Sequence, residues 1–229
     1  MRTGVAVIIP ALNEQKAICN VLKEIPTSIV DEAIVVDNGS TDRTSEKAAA
    51  CGATVLQENK RGYGHACLKG IEYLKQQDMP PEIIVFLDAD YSDYPEEMEK
   101  LIKPIRNENF DMVIGSRVLG NRETGSMTFA QVFGNWLATF LIRMFFKVRF
   151  TDLGPFRAIR FEKLIRMDMQ DKTYGWTVEM QLKAAKMGLR NIEVPVTYRK
   201  RIGFSKVSGT VKGTLMAGYK ILWTIIKHL

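Results

Sequence analysis

Apolar and polar positions are distributed in two different ways along this chain. Over the first 116 residues, short runs rich in β-branched residues alternate with stretches whose apolar residues recur every three or four positions. The runs at 5–9, 33–37, 54–57, 82–87 and 112–116 predict five strands. The first and fourth are almost continuously apolar, as strands covered on both faces must be. Between them, residues 14–24 set Ile18, Leu22 and Ile25 near one stripe and predict a helix. Asp42 stands as the N-cap of a second helix to Cys51, residues 65–76 predict a third, and Pro95 opens a fourth at its first position, ending near Arg106. Strands separated by helices of about ten residues need crossover connections, so the expected fold is α/β: a mostly parallel, Rossmann-like sheet with helices on both faces.

After Arg117 the pattern changes. A polar loop (120–125) precedes a strongly apolar helical stretch at 128–146, interrupted by Gln131, Asn135 and Arg143. Residues 152–160 read as a turn and a strand, 176–187 as a helix stopped by Gly188, and 192–198 as a strand. A basic loop at 199–208 leads to an amphipathic helix at 210–228. Neither apolar helix offers 18 uninterrupted apolar residues, so both are expected to lie on a membrane surface rather than to span it. With no repeat and no linker, residues 1–229 are expected to form one domain, with halves 1–117 and 118–229.

Composition changes this picture in one respect. Hydrophobic residues at 46% and charged residues at 25% exclude disorder and low complexity. The charge, however, is divided: residues 1–115 hold 12 Lys+Arg against 19 Asp+Glu, and residues 116–229 hold 20 against 7. An acidic half suits a metal, and a basic half suits an anion or a membrane surface. No helix-turn-helix, zinc or RNA-recognition signature accompanies the basic half, so nucleic acid is not an expected partner. Cys19, Cys51 and Cys67 are odd in number and widely spaced, and are expected as buried thiols in a reducing cytoplasm. No secretory leader is expected at the amino terminus.

Candidate chemistry lies at the strand ends, because an open parallel sheet binds ligands beyond the carboxyl ends of its strands. Pro10-Ala11-Leu12-Asn13-Glu14, residues 37–42, Asp88-Ala89-Asp90 and Gly115-Ser116-Arg117 occupy four such positions. Asp88 and Asp90 stand directly after a very apolar run, where a turn lets both carboxylates face one cation. Oxygen-only ligation suits Mg²⁺ or Mn²⁺, which can bridge a diphosphate. Gly62 and Gly64 allow close approach of backbone to a phosphate, but a lone Gly-x-Gly is a weak signal, and no P-loop pattern is present.

Residues 9–14, 36–42, Lys60-Arg61-Gly62-Tyr63-Gly64 and Asp88-Ala89-Asp90 resemble the family-two inverting glycosyltransferases of GT-A fold. Within them the chain is most similar to the polyprenyl-phosphate sugar transferases of the dolichyl-phosphate mannose synthase type. The likeness covers nearly the whole chain and is less specific at 151–157 and 201–206. It implies that Pro10, Leu12 and Glu14 line the base and ribose of a nucleotide sugar, that Asp37 contacts base or ribose, and that Lys60 and Arg61 approach the nucleotide and diphosphate. Asp88 lies beside diphosphate and sugar, and Asp90 is the main metal ligand. Arg201 and Lys206 hold the donor diphosphate, and Arg117 and Arg157 the acceptor phosphate. Asp152 orients Arg157 or caps a turn. The implied reaction moves a UDP- or GDP-linked hexose, with inversion, to a dolichyl or undecaprenyl phosphate at the cytoplasmic face of a membrane, where the protein sits peripherally, with room for a homo-oligomer. A phosphate acceptor needs no general base; a soluble or glycolipid hydroxyl acceptor does, and Glu179 is the candidate. Outside this class stand a nucleotidyltransferase and a non-catalytic membrane-surface module on the same fold.

Overall fold

A computed structural model describes residues 3–205 and 210–229. All five apolar runs of the first half are strands: β1 (Val5–Ala11), β2 (Glu32–Asp37), β3 (Thr54–Gln57), β4 (Ile83–Phe86) and β5 (Met112–Ser116). They are joined by α1 (Ile18–Lys23), α2 (Thr44–Ala50), α3 (Tyr63–Lys75) and, after a 3₁₀ turn that Pro95 opens, α4 (Met98–Asn107). β1 pairs in parallel with β2 and β4, and β2 with β3. The second half supplies α5 (Phe129–Phe146), β6 (Arg157–Arg160), α6 (Phe161–Met167), α7 (Trp176–Lys186), β7 (Asn191–Pro195) and α8 (Val211–Lys227).

The seven-stranded sheet has the order β3-β2-β1-β4-β6-β5-β7. The parallel expectation holds except at β6, which enters between β4 and β5 and runs antiparallel to both. Its Ala158 pairs with Val85 on one side and Val113 on the other. β7 then closes the edge in parallel with β5. From β1 the chain goes one way to β2 and β3 and the other way to β4, so the strand order reverses between β1 and β4, the place where such sheets bind ligands.

Successive side chains on each strand point to opposite faces, and each face carries its own core. Ile8, Ile34, Ile84, Phe86 and Ile114 face α3, α5 and α7, while Val7, Ile9, Val35, Val85 and Val113 face α1, α2 and α4. Two local expectations shift. α1 begins only at Ile18, because the Glu14 carbonyl holds a tight turn, accepting from the amides of Ala17 and Ile18. α6 follows β6 directly and was not legible as a separate element, being only seven residues long. The cysteine expectation is corrected. Cys19 and Cys51 form a disulfide, with Cα atoms 5.8 Å apart, because parallel β1 and β2 set α1 and α2 side by side on one face. Only Cys67 is a free, buried thiol.

In the second half, α5 starts with a capping box in which Thr128 and Gln131 satisfy each other's backbone amides. The helix packs on α7 and α8. Its outer side carries Phe129, Phe133, Trp136 and Phe140 as a ladder of ring contacts at 5.8–6.3 Å, with Phe129 85% and Trp136 57% exposed. Beside it, α8 exposes Leu215, Tyr219, Trp223 and Ile226. By length and composition α5 could cross a membrane. On its inner side, Asn135 donates to the Thr151 carbonyl at 2.9 Å and accepts from the Leu153 amide at 2.9 Å, which pins the helix along the protein body.

Candidate active site

β4 ends at Phe86, and residues 87–93 turn across the top of the sheet. Asp90 is buried there, and its Oδ1 accepts from the Ser92 amide at 2.9 Å and the Ser92 hydroxyl at 2.5 Å. Its Oδ2 faces Arg201 Nη1 at 3.0 Å, and Arg201 Nη2 donates to Glu14 Oε1 at 2.7 Å. One guanidinium thus joins the segment after β1 to the turn after β4. The basic loop is laid along that turn by its backbone: the Ile202 amide donates to the Asp90 carbonyl and the Arg199 amide to the Ser92 carbonyl, both at 2.9 Å. Burial, and then the charge of Asp90, raise Asp88 to about 7. Behind it, burial pushes the Cys67 thiol well above its usual range, which makes it a packing residue and not a nucleophile.

At the β1–β3 end of the sheet, the segments after β1, β2 and β3 are stitched together by side chains. Asp37 accepts from the Ser40 amide at 2.7 Å and from the Ser45 hydroxyl. Asn13 accepts from the Thr41 amide at 2.7 Å, and the Glu14 amide donates to Thr44 Oγ1 at 2.8 Å. Asn38, which sequence reasoning passed over, donates to the carbonyls of Glu58 and Lys60 and accepts from the Gly62 amide at 2.7 Å. Pro10 and Leu12 are half-buried on this rim, and Lys60 and Arg61 are exposed beside it. Gly62 and Gly64 also make room for a distant part of the chain. A Cβ on either would stand 2.1 Å from the carbonyl oxygens of Lys172 and Asp171, so glycine is needed for that chain to pass.

The described residues expected on the basic side already have partners inside the fold. Arg117 is held by Asp152 in a two-pronged pair, Nε to Oδ2 at 2.8 Å and Nη2 to Oδ1 at 2.6 Å, with its backbone amide on Oδ2 as well. Burial alone would raise Asp152; the Arg117 charge and its hydrogen bonds outweigh that and hold it below the usual carboxylate range. Asp152 therefore orients Arg117, not Arg157. Arg157 is fully buried and donates to the carbonyls of Leu153, Gly154 and Thr177, and burial lowers it to about 10. All its nitrogens are taken up inside the fold. Glu179 is equally committed: it accepts from the amides of Gln170 and Asp171 and pairs with Lys183 at 2.8 Å. It lines a cavity of about 140 Å³ with Lys220 and His228, whose wall includes neither Asp88 nor Asp90. Arg199 pairs with Glu24 at 2.5 Å and stacks on the rings of Tyr91 and Tyr94. Lys206 lies outside the described residues.

Among the described residues, no three His, Cys, Asp or Glu side chains gather into a complete metal cage. Asp88 and Asp90 nevertheless suit a divalent ion that takes its remaining oxygens from a diphosphate and water, as Mg²⁺ and Mn²⁺ do. Asp93 is the acid that sequence reasoning missed. It is 1% exposed, neither carboxyl oxygen has a hydrogen-bond partner among the described residues, and burial with the charges of Asp88 and Asp90 pushes it well above the usual range. Its signal was a third Asp, three positions after Asp90.

The family described as glycosyl transferase family 2 matches residues 6–168. A dolichyl-phosphate hexose transferase of Haloferax volcanii is 34% identical, over 88% of this chain and 86% of its own. An undecaprenyl-phosphate mannosyltransferase of Micrococcus luteus is 28% identical, over 91% of this chain and 89% of its own. Among solved structures, glucosyl-3-phosphoglycerate synthase from Mycobacterium tuberculosis, in complex with Mn²⁺, UDP and phosphoglyceric acid, superposes with a TM-score of 0.77 at 21% identity, covering 98% of this chain and 78% of that one. That likeness is one of fold.

Proposed function

The chain belongs to glycosyl transferase family 2, and from that premise we propose that it transfers a hexose from a UDP- or GDP-linked donor to a polyprenyl phosphate at the cytoplasmic face of a membrane. One observation carries the donor half of this reading: Asp90, Glu14 and Arg201, from three distant segments, meet within 3.0 Å at the point where strand order reverses. Family membership sets aside the nucleotidyltransferase and the non-catalytic module. The names of the Haloferax and Micrococcus relatives support the lipid-phosphate acceptor.

In this reading, Pro10, Leu12 and Asp37 line the base and ribose, with Lys60 and Arg61 at the rim. Asp88 and Asp90 hold Mg²⁺ or Mn²⁺, which when bound neutralises the diphosphate and the charge that develops as it leaves. Arg201 is released from Asp90 and Glu14 toward the same diphosphate, where a guanidinium fork suits phosphate oxygens. The acceptor phosphate is already an anion, so it attacks the anomeric carbon without a general base, and single displacement inverts that centre. Arg117, oriented by Asp152, offers its Nη1 to the acceptor; Arg157 is withdrawn from that role by its internal bonds. The exposed aromatic ladder of α5 and the apolar side of α8 rest on the membrane, and lysines on α8 add attraction to anionic lipid of about 1 kcal/mol each.

The loss of Arg157 from the acceptor side favours one second reading, a hydroxyl-bearing acceptor. A single experiment separates the two. The protein is incubated with a panel of nucleotide sugars and Mg²⁺ or Mn²⁺, with and without polyprenyl phosphate, and released nucleoside diphosphate is measured. Release that rises only with polyprenyl phosphate supports the lipid acceptor. Metal-dependent donor hydrolysis with no response to the lipid favours the hydroxyl acceptor, and no release with any donor refutes the reading.

A further inference from the structure

We propose that Asp93 reads the donor's sugar, its carboxyl accepting hydrogen bonds from hydroxyls of the hexose; this rests on the nucleotide-sugar reading above. Asp93 follows the metal-binding turn and is held in place from the opposite side, where it forms an isolated antiparallel bridge with Tyr198. Its backbone carbonyl accepts from Arg199 Nη2 at 3.2 Å. The backbone of Asp93 therefore lies against the basic loop, and the charges acting on its carboxyl include those of Asp88, Asp90, Arg117 and Asp152. In this proposal the hexose of a donor whose diphosphate is held at Asp88 and Asp90 reaches that carboxyl.

The chemistry of the space selects the ligand. Arg117 is paired with Asp152, and Arg201 with Glu14 and Asp90. The charges of Asp88 and Asp90 thus act on Asp93, and the nearby arginines already have carboxylate partners. A neutral polyol brings the O–H donors that the two Asp93 carboxyl oxygens lack among the described residues. Buried polar groups are nearly always hydrogen-bonded, and leaving one without a partner costs stability. Among the described residues, Asp93 leaves two oxygens without partners. A carboxyl kept in that condition is better explained by a ligand that satisfies it than by any service to the fold.

The test uses calorimetric titration with Mn²⁺ present, comparing a nucleoside diphosphate with its glucose, mannose and galactose conjugates, alongside melting without ligand. Asp93→Asn is the isosteric variant; Asp93→Ser is a second, should the first not fold. We expect either to bind the nucleoside diphosphate as the unaltered protein does. The sugar conjugates should bind about 10- to 100-fold more weakly, the scale of about two lost hydrogen bonds, with the preference among epimers reduced. Without ligand, Asp93→Asn should melt no lower than the unaltered protein, since it removes a carboxyl facing two others. Unchanged sugar affinity and epimer preference would overturn the proposal, as would an equal loss for the nucleoside diphosphate, which would place Asp93 at the metal and diphosphate instead. If the unaltered protein bound the nucleoside diphosphate and no sugar conjugate, the nucleotide-sugar reading itself would fall.

Discussion

Two arginine–carboxylate contacts flank the site, and they are built for different purposes. Arg117 and Asp152 meet through two parallel bonds, with side-chain exposures of 11% and 0%. Arg201 reaches Glu14 and Asp90 through single contacts, and its side chain is 25% exposed. The first pair joins the end of β5 to the segment before β6, and both ions lose their water, so neither can leave without stranding the other. The second spans segments far apart in sequence and keeps some contact with solvent, so an incoming metal and diphosphate can replace each partner with an equivalent ion. Among cations, the number present says little. What matters is whether the carboxylate beside each one can be exchanged for a ligand.

The largest test of that contrast is Arg117→Ala. It leaves Asp152 buried and unpaired, and should lower unfolding free energy by about 3–5 kcal/mol in urea titrations. Arg201→Ala should cost less, because Arg201 is 25% exposed and Asp90 keeps its two bonds from Ser92. Equal losses would break the comparison. Next comes Asp90→Ala, which should leave the fold intact and reduce metal-dependent turnover by roughly a hundred- to a thousandfold, the effect of losing charge stabilisation worth several kcal/mol. Nucleoside diphosphate release by the purified variant checks it.

A smaller effect is expected at the exposed aromatic side of α5. Trp136→Ser removes one exposed ring from the ladder and should weaken sedimentation with anionic liposomes about tenfold, since burying such a side chain is worth about 1.5–3 kcal/mol, with melting unchanged. Raising salt should weaken binding of both proteins, because exposed charges are screened beyond about 8–10 Å.

The smallest effect concerns pH. Asp88 keeps its proton up to about 7 in the folded chain, whereas an unfolded chain loses it near pH 4. Between those values the folded state binds more protons, so stability without ligand should fall as pH rises from about 4 to 7. Metal–nucleotide affinity should move oppositely, weakening about tenfold per unit below 7, as titration calorimetry at pH 6 and 7 would show.

What the sequence by itself determined follows from local physics. Unbroken apolar runs admit only strands covered on both faces, and turn residues directly after them mark the ligand-binding edge. That logic placed β1 to β5 and set the Asp88/Asp90 pair directly after β4. It also found the exposed aromatic helix, because ring spacing along a helix can be read without a partner. Tertiary structure decided every matter of who pairs with whom. Gly62 and Gly64 make room for the chain at 171–172, which no local pattern announces. The insertion of β6 between β4 and β5 set Arg157 inside the fold among carbonyls, and an arginine turned inward looks the same in sequence as one turned to a phosphate. Cys19 and Cys51, 32 positions apart, became partners because two parallel strands set their helices side by side. Asp93 was one acid among many until burial removed its water and gave it no replacement among the described residues. Residue type and local spacing set what each side chain is able to do, and the contacts between distant segments set which of those abilities are left free for a ligand.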